Sequence, residues 1–188
     1  MSRLIRDDVD RFFEWDVHVP TRTVYMGAEV DETMAELFMK AMCMLEPGGD
    51  PIMVVMNNVG GDEYHGMGIY DAIQCSKCHI TLAVYGHAMS MGSWILQAAD
   101  ERIMAPNATL MMHYGTWGAE DHVKYVRVSN KEMERVNALM EGAYLERMKA
   151  ADPKFSLRKL KKMLEDEVYM PAREAVELGL ADKVIISP

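Results

Sequence analysis

No stretch of the chain approaches the roughly 18 consecutive apolar residues of a bilayer-spanning helix. The opening residues, MSRLIRDDVDRFFEWD, interrupt every apolar run with charge and lack the core of a secretory signal. Cysteine is scarce. Three of them, an odd number, argue against a disulfide framework and fit a reducing cytoplasm. Positive charge is also short: 20 Lys and Arg against 29 Asp and Glu leave a net charge of −9. With a pI near 5.1, this argues against non-specific binding to nucleic acid or to an anionic membrane surface. Internal repeats, low-complexity tracts and Gly/Ser linkers are missing as well.

What is present is apolar. At 49% hydrophobic residues over 188 positions, the chain can fill one sizeable core, and a single domain over residues 1–188 is expected. Nineteen methionines read as adaptable core filler, although Met-rich surfaces also suit oligomer contacts.

Residues 1–20 mix charge with aromatics, end at Pro20 and read as an N-terminal arm. A short strand follows at 21–27. Over 31–45 an apolar stripe at helical spacing (Met34, Leu37, Phe38, Met42, Leu45) predicts a helix capped by Asp31 or Thr33. Buried strands are expected at 52–57 and 80–85, and further strands at ERIMA, ATLMMHY and DKVII (182–186). Helices are expected at 65–77, 91–99, 156–165 and 171–179, with a long amphipathic one across 120–150. The apolar side of the long helix carries Val123, Val126, Met133, Val136, Met140 and Tyr144. Alternating strands and helices imply an α/β fold with a largely parallel sheet.

GHAMSMGS (86–93) sits between the apolar runs ITLAVY and WILQAA. A strand turning sharply into a helix lifts Ser90 to the carboxyl edge of the sheet, where open α/β sheets keep their sites. Ala88 and Gly92, small residues on either side, permit the tight turn of a nucleophile elbow. The rival reading is that Ser90 caps the helix, and the turn alone does not separate the two. A nucleophilic serine needs a base, an acid and a second oxyanion donor. NNVGGD (57–62) offers the donor, because adjacent glycines let a backbone N–H face outward. His113, at the end of ATLMMHY, would reach the same edge, but spacing does not pick it from His18, His65, His79, His87 and His122.

Taken in order, NNVGGDEYHGMGIYD, GHAMSMGS, PNATLMMH and YMPAREAVELGLAD resemble the Clp protease proteolytic subunit family, and most of all its short phage and prophage members. The resemblance spans roughly residues 21–186. It implies a Clp-type, crotonase-like α/β fold with stacked parallel sheets, flanking helices and a long protruding handle helix within an oligomerisation region at 120–165. It also implies serine endopeptidase chemistry without cofactor or metal. By position, Ser90 would be the nucleophile, His113 the general base, and the N–H groups of Gly61 and Met91 the oxyanion hole. The family's acid precedes an F-L-S-A-like segment, here Tyr169-Met170-Pro171-Ala172, which puts Glu167 in the acid's place where the family has aspartate. Glu167 is favoured over Asp166, which would point elsewhere on an extended segment.

The same resemblance implies polypeptide substrates and a homo-oligomer, a heptameric ring or a double ring. The loop GTWGAEDH departs from the family's Gln-Pro-containing loop, so ring number is open. The strand 52–56 lacks the aromatic residues that help dock an AAA+ unfoldase, and the arm is short for an axial hairpin. Both count against an unfoldase partner and point toward phage head maturation, in a bacterial host's cytoplasm. Cys75-Ser76-Lys77-Cys78-His79 matches the covalent haem signature C-x-x-C-H, but no export signal accompanies it and no second ligand pair supports zinc. Asn107 in N-A-T fits a glycosylation pattern that means nothing in a cytoplasmic chain. Three rival functions remain: an acyl-CoA hydratase or isomerase of the same fold, a Ser-Lys peptidase, and an inactive ring-forming scaffold.

Overall fold

The computed structural model describes residues 12–116, 118 and 122–185. Most of the expected arm (residues 1–11), part of the Gly115–His122 loop and Ile186 of the last expected strand lie outside them. The described elements are β1 (Val17–His18), β2 (Thr23–Met26), α1 (Glu32–Leu45), β3 (Ile52–Asn58), α2 (Glu63–Gln74), β4 (Ile80–Met89) and α3 (Met91–Leu96). They continue with β5 (Glu101–Met104), β6 (Thr109–Met112), α4 (Val123–Ala151), α5 (Leu157–Glu165), β7 (Val168–Pro171), α6 (Ala172–Glu177) and β8 (Lys183–Val184).

The sheet is mostly parallel and flanked by helices, as the strand–helix alternation requires. Its main path runs β1-β2-β3-β4-β5-β8, with β1 antiparallel to β2. The expected arm therefore ends early, because Val17 and His18 already pair with Val24 and Thr23. Along β3, Ile52, Val54, Met56 and Asn58 are buried and their neighbours half-buried. On α1, Asp31 is the cap, its carboxylate accepting from the Met34 N–H at 2.8 Å, and Met34, Phe38, Met42 and Leu45 enter the core. Leu37 stays half-buried.

The largest departure from expectation is β4, which runs four residues past Tyr85 to Met89. Its first half, Thr81–Val84, pairs with β5, and its second half, His87–Met89, pairs with β6. Among the described residues the stacked sheets expected of the fold are thus joined as one branched sheet of eight strands through a single strand. The change of partner occurs at a bulge. Met56 pairs with Val84 but Asn58 with Ala88, so β4 carries two extra residues there. Gly86 absorbs the bend at φ 84°, and a Cβ there would lie 2.4 Å from the Asn57 side-chain oxygen.

α2 begins at Glu63, earlier than expected, because Asp62 caps it by accepting from Tyr64 and His65 N–H at 2.9 Å each. α3 stops at Leu96. α4 is 29 residues long, and its buried residues begin at Val136, with Met140, Glu141, Tyr144 and Met148. Val123, Tyr125 and Val128 on its first half are about 60% exposed. None of the described helices is long and apolar enough to cross a membrane.

The far edge of the sheet closes on Arg102, a buried guanidinium on β5. It donates to both Asp182 carboxylate oxygens, to Gln97 Oε1 at 3.0 Å and to Gly179 C=O at 2.9 Å. Burial of Asp182 opposes its ionisation, but the bonds from Arg102 outweigh this and hold its carboxyl below the usual range. The sign follows: the pair stabilises the fold above the unfolded aspartate pKa of about 3.9, and that contribution is lost as pH falls through the lower folded value. Asp182→Asn should cost about 2 kcal/mol at pH 7, discounted for the exposed side of Asp182. In urea unfolding, the gap from wild type should close in acid.

Candidate active site

Three chain ends are brought together by strand pairing. β4 and β6 run parallel with Met89 opposite Met111, so Ser90 emerges beside the end of β6 and its N–H donates to Met111 C=O at 2.9 Å. His113 follows β6 by one residue. β7 returns antiparallel with Val168 opposite Met112, which sets Glu167 next to His113.

Ser90 has φ 50° and ψ −123°, a conformation that side-chain-bearing residues rarely adopt. The backbone fixes it from both sides: Ser90 C=O accepts from Ser93 N–H at 3.0 Å and from Ser93 Oγ at 2.8 Å. Its hydroxyl does not cap α3. Instead Ser90 Oγ lies 2.8 Å from His113 Nε2. On the far side of the ring, Glu167 Oε2 is 3.5 Å from His113 Nδ1, with the histidine side chain 22% exposed and the glutamate 50%. Glu167 Oε1 accepts from the Tyr169 hydroxyl at 2.9 Å. That bond raises the Tyr169 pKa, so the phenol stays protonated and donates. Asp166 turns away, its carboxylate 2.8 Å from Lys162 Nζ. Glu167 itself sits at φ 52°, turning the chain from α5 into β7.

The double glycine packs directly on this elbow. Gly60 has φ 98°, and a Cβ there would lie 2.7 Å from Ser90 Cβ and 2.9 Å from the Met91 nitrogen. The buried Asn58 shapes the turn, accepting from Gly60 N–H at 2.8 Å and donating to Ala28 C=O. Val30 forms a parallel bridge with Gly61 through Gly60 C=O and Asp62 N–H, both at 2.8 Å. In such a bridge the Gly61 N–H faces the opposite edge. Met91 N–H opens α3, where no intrahelical acceptor exists for it. Ser90, His113, Glu167 and the Gly60–Gly61 turn are thus neighbours. His79 stands apart beside Asp100, and His18 bonds Thr21.

Asn58 and Tyr169 escaped sequence reasoning. The doubled asparagine before the glycines was the available signal for the first. For the second it was the phenol where the family has phenylalanine.

A serine–imidazole–carboxylate line beside a strained elbow and a glycine turn is the geometry of acyl transfer. The Clp protease family profile matches residues 12–188. The chain belongs to the Clp protease family. It is also similar to the ATP-dependent Clp protease proteolytic subunit of Mesostigma viride, at 30% identity over 168 residues, covering 87% of this chain and 71% of that protein. As a Clp-family peptidase it leaves the C-x-x-C-H motif without a role in the site. Cys78 is buried with its Sγ 3.6 Å from Glu46 C=O, whereas Cys75 is exposed. Among the described residues no group of three or more His, Cys, Asp or Glu side chains could hold a metal ion.

Gly60→Ala tests how tightly the turn and the elbow interlock. A methyl at φ 98° against backbone atoms should cost about 2 kcal/mol or more, read as a lower urea midpoint with an unchanged m-value.

Proposed function

We propose that the protein is a serine endopeptidase acting on extended polypeptides. Ser90 is its nucleophile, His113 its general base and Glu167 its acid, with the N–H groups of Gly61 and Met91 as oxyanion donors. The observation that carries this reading is the 2.8 Å contact of Ser90 Oγ with His113 Nε2 at a residue held at φ 50°. Ser90 Oγ attacks the scissile carbonyl while His113 Nε2 takes its proton, then returns it to the leaving amine. Glu167 fixes the tautomer with Nδ1–H toward the carboxylate and stabilises the imidazolium. The carbonyl oxygen, as it gains charge, moves toward Gly61 and Met91 N–H, and losing one such donor typically costs about 10²–10³ in rate. Substrate adds as a strand on the free edge at Gly61, so backbone pairing supplies much of its binding.

Assembly into a homo-oligomeric ring is part of the proposal, supported by the exposed apolar residues on the first half of α4. β3 carries no aromatic residue, which favours a setting that needs no AAA+ unfoldase, such as phage head maturation.

Labelling with a fluorophosphonate probe tests the assignment. One adduct, at Ser90, is expected; it should vanish in Ser90→Ala and form at least about 100-fold more slowly in His113→Ala. Labelling that survives Ser90→Ala would move the nucleophile elsewhere. Glu167→Gln should lower peptidase kcat by about 10–10² and Asp166→Asn by less than about twofold, since only Glu167 faces the imidazole. Tyr169→Phe should cost a smaller factor, about two to five, that disappears in a Glu167→Gln background because the phenol acts through that carboxylate.

A further inference from the structure

The chain segments that carry His113 and Glu167 are tied together on both sides of those residues. On one side Met112 pairs with Val168 in the β6–β7 ladder. On the other, Tyr114 N–H donates to Leu164 C=O at 3.1 Å, in the last turn of α5. This second tie is one bond to the end of a nine-residue helix, where hydrogen bonding ordinarily frays. Side chains reinforce it. Tyr114 Oη donates to Glu141 Oε1 at 2.6 Å, and Glu141 Oε2 lies 3.2 Å from Lys161 Nζ, about one turn before Leu164 on α5. The bonds close a circuit: Tyr114 to α5 through its backbone, α5 to Glu141 through Lys161, and Glu141 back to Tyr114 through the phenol. Burial and the neighbouring carboxylate push the pKa of that phenol up, so it stays protonated and donates.

Glu141 is only 8% exposed, and a carboxylate so buried costs folding energy unless charge and hydrogen bonds compensate it. A leucine there would join α4 to α5 by apolar burial without that cost. What the carboxylate adds is direction, because each of its oxygens meets one donor. Resting on the triad reading above, we propose that Tyr114 and Glu141 are positioning residues of the peptidase. Their bond fixes the chain just past His113 against the turn of α5 that leads into Glu167, and so holds Glu167 Oε2 within reach of His113 Nδ1. At 3.5 Å that contact is already long for a hydrogen bond, so further loosening forfeits it. Among the described residues neither side chain bonds Ser90, His113 or Glu167, so both act through the placement of the backbone.

The test is the rate of Ser90 phosphonylation by a fluorophosphonate, read by mass over a range of probe concentrations, which separates the maximal rate from the half-saturating concentration. Tyr114→Phe keeps the ring and deletes the donor. It should lower the maximal rate about three- to tenfold and leave the half-saturating concentration within about twofold. Glu141→Leu should do the same, whereas Glu141→Gln, which still offers an acceptor, should stay within about twofold of wild type. In a Glu167→Gln background, Tyr114→Phe should change the rate by less than about 1.5-fold, because the carboxylate to be aligned is gone. A loss of packing alone would lower the urea midpoint and slow labelling by the same factor in both backgrounds. Equal slowing in both backgrounds, no slowing in either, or Glu141→Gln as slow as Glu141→Leu would overturn the positioning role and leave the peptidase reading standing. No adduct at Ser90 in wild type would overturn both.

Discussion

Ser90 is held at φ 50° and ψ −123°, and the rest of the site depends on that one backbone conformation. Such a residue typically stores about 1–3 kcal/mol of strain and persists only where its surroundings over-determine it. Here they do. Its N–H is tied to Met111 on β6, its C=O to Ser93 in the first turn of α3, and its Cβ side is closed by Gly60. Relaxation toward ordinary helical or extended angles would break the β4–β6 bond or drive atoms into the glycine turn. The strain points the hydroxyl at His113 instead of into the helix, where an N-terminal serine ordinarily bonds.

The restraint continues inward. Ser93 Oγ, bonded to Ser90 C=O, also meets the Tyr144 hydroxyl at 2.6 Å, and Tyr144 is fully buried on α4. Burial pushes the Tyr144 phenol pKa up, so it remains a neutral hydrogen-bonding group. One turn on, Arg147 donates to the carbonyls of Gln97 and Ala99, just past α3, at 2.7 and 3.0 Å. Gln97 in turn accepts from Arg102, the anchor of the far sheet edge. A continuous polar chain therefore links the C-terminal half of α4 to the elbow. A displacement of α4 along its axis would reach Ser90 through two side chains, Tyr144 and Ser93. In the ring proposed above, contacts on the exposed first half of α4 would act on the far end of that same rigid helix.

The local signals in the sequence were sufficient where one residue decides the outcome. Of the two caps offered for α1, Asp31 is the one used, through its carboxylate, and Gly179 ends the helical region of α6 at φ 76°, which the lack of a Cβ permits. The elbow was legible because small residues flank Ser90. Glu167 rather than Asp166 faces the imidazole, but not by the alternation of an extended segment: Asp166 still closes α5 in a helical conformation and Glu167 turns the chain at φ 52°. Long-range pairing was not legible. Tyr85-Gly86-His87 reads as a strand end followed by a turn, yet β6 supplies the partner that lets β4 continue past the glycine. Val17 and His18 look like part of a charged arm until β2 offers them an edge. Asn58 belongs by composition to a polar turn, and only the fold shows its amide buried as the brace of that turn.

The glutamate raises a physical question that the tyrosine answers. A carboxylate one methylene longer than aspartate, half exposed and 3.5 Å from Nδ1, has more rotamers to lose and more water competing for its oxygens. Tyr169 removes one of those freedoms by taking Oε1, which leaves Oε2 toward the ring. The left-handed backbone at Glu167 removes another, because the φ of 52° turns the chain so that β7 begins in register with β6. Fixed at both its base and its tip, the longer side chain can do the orienting work of a shorter one. In the proposed mechanism the acid is therefore better described as a carboxylate–phenol pair. The phenol reaches that carboxylate because Tyr169 follows the Glu167 turn by two residues, one residue into β7.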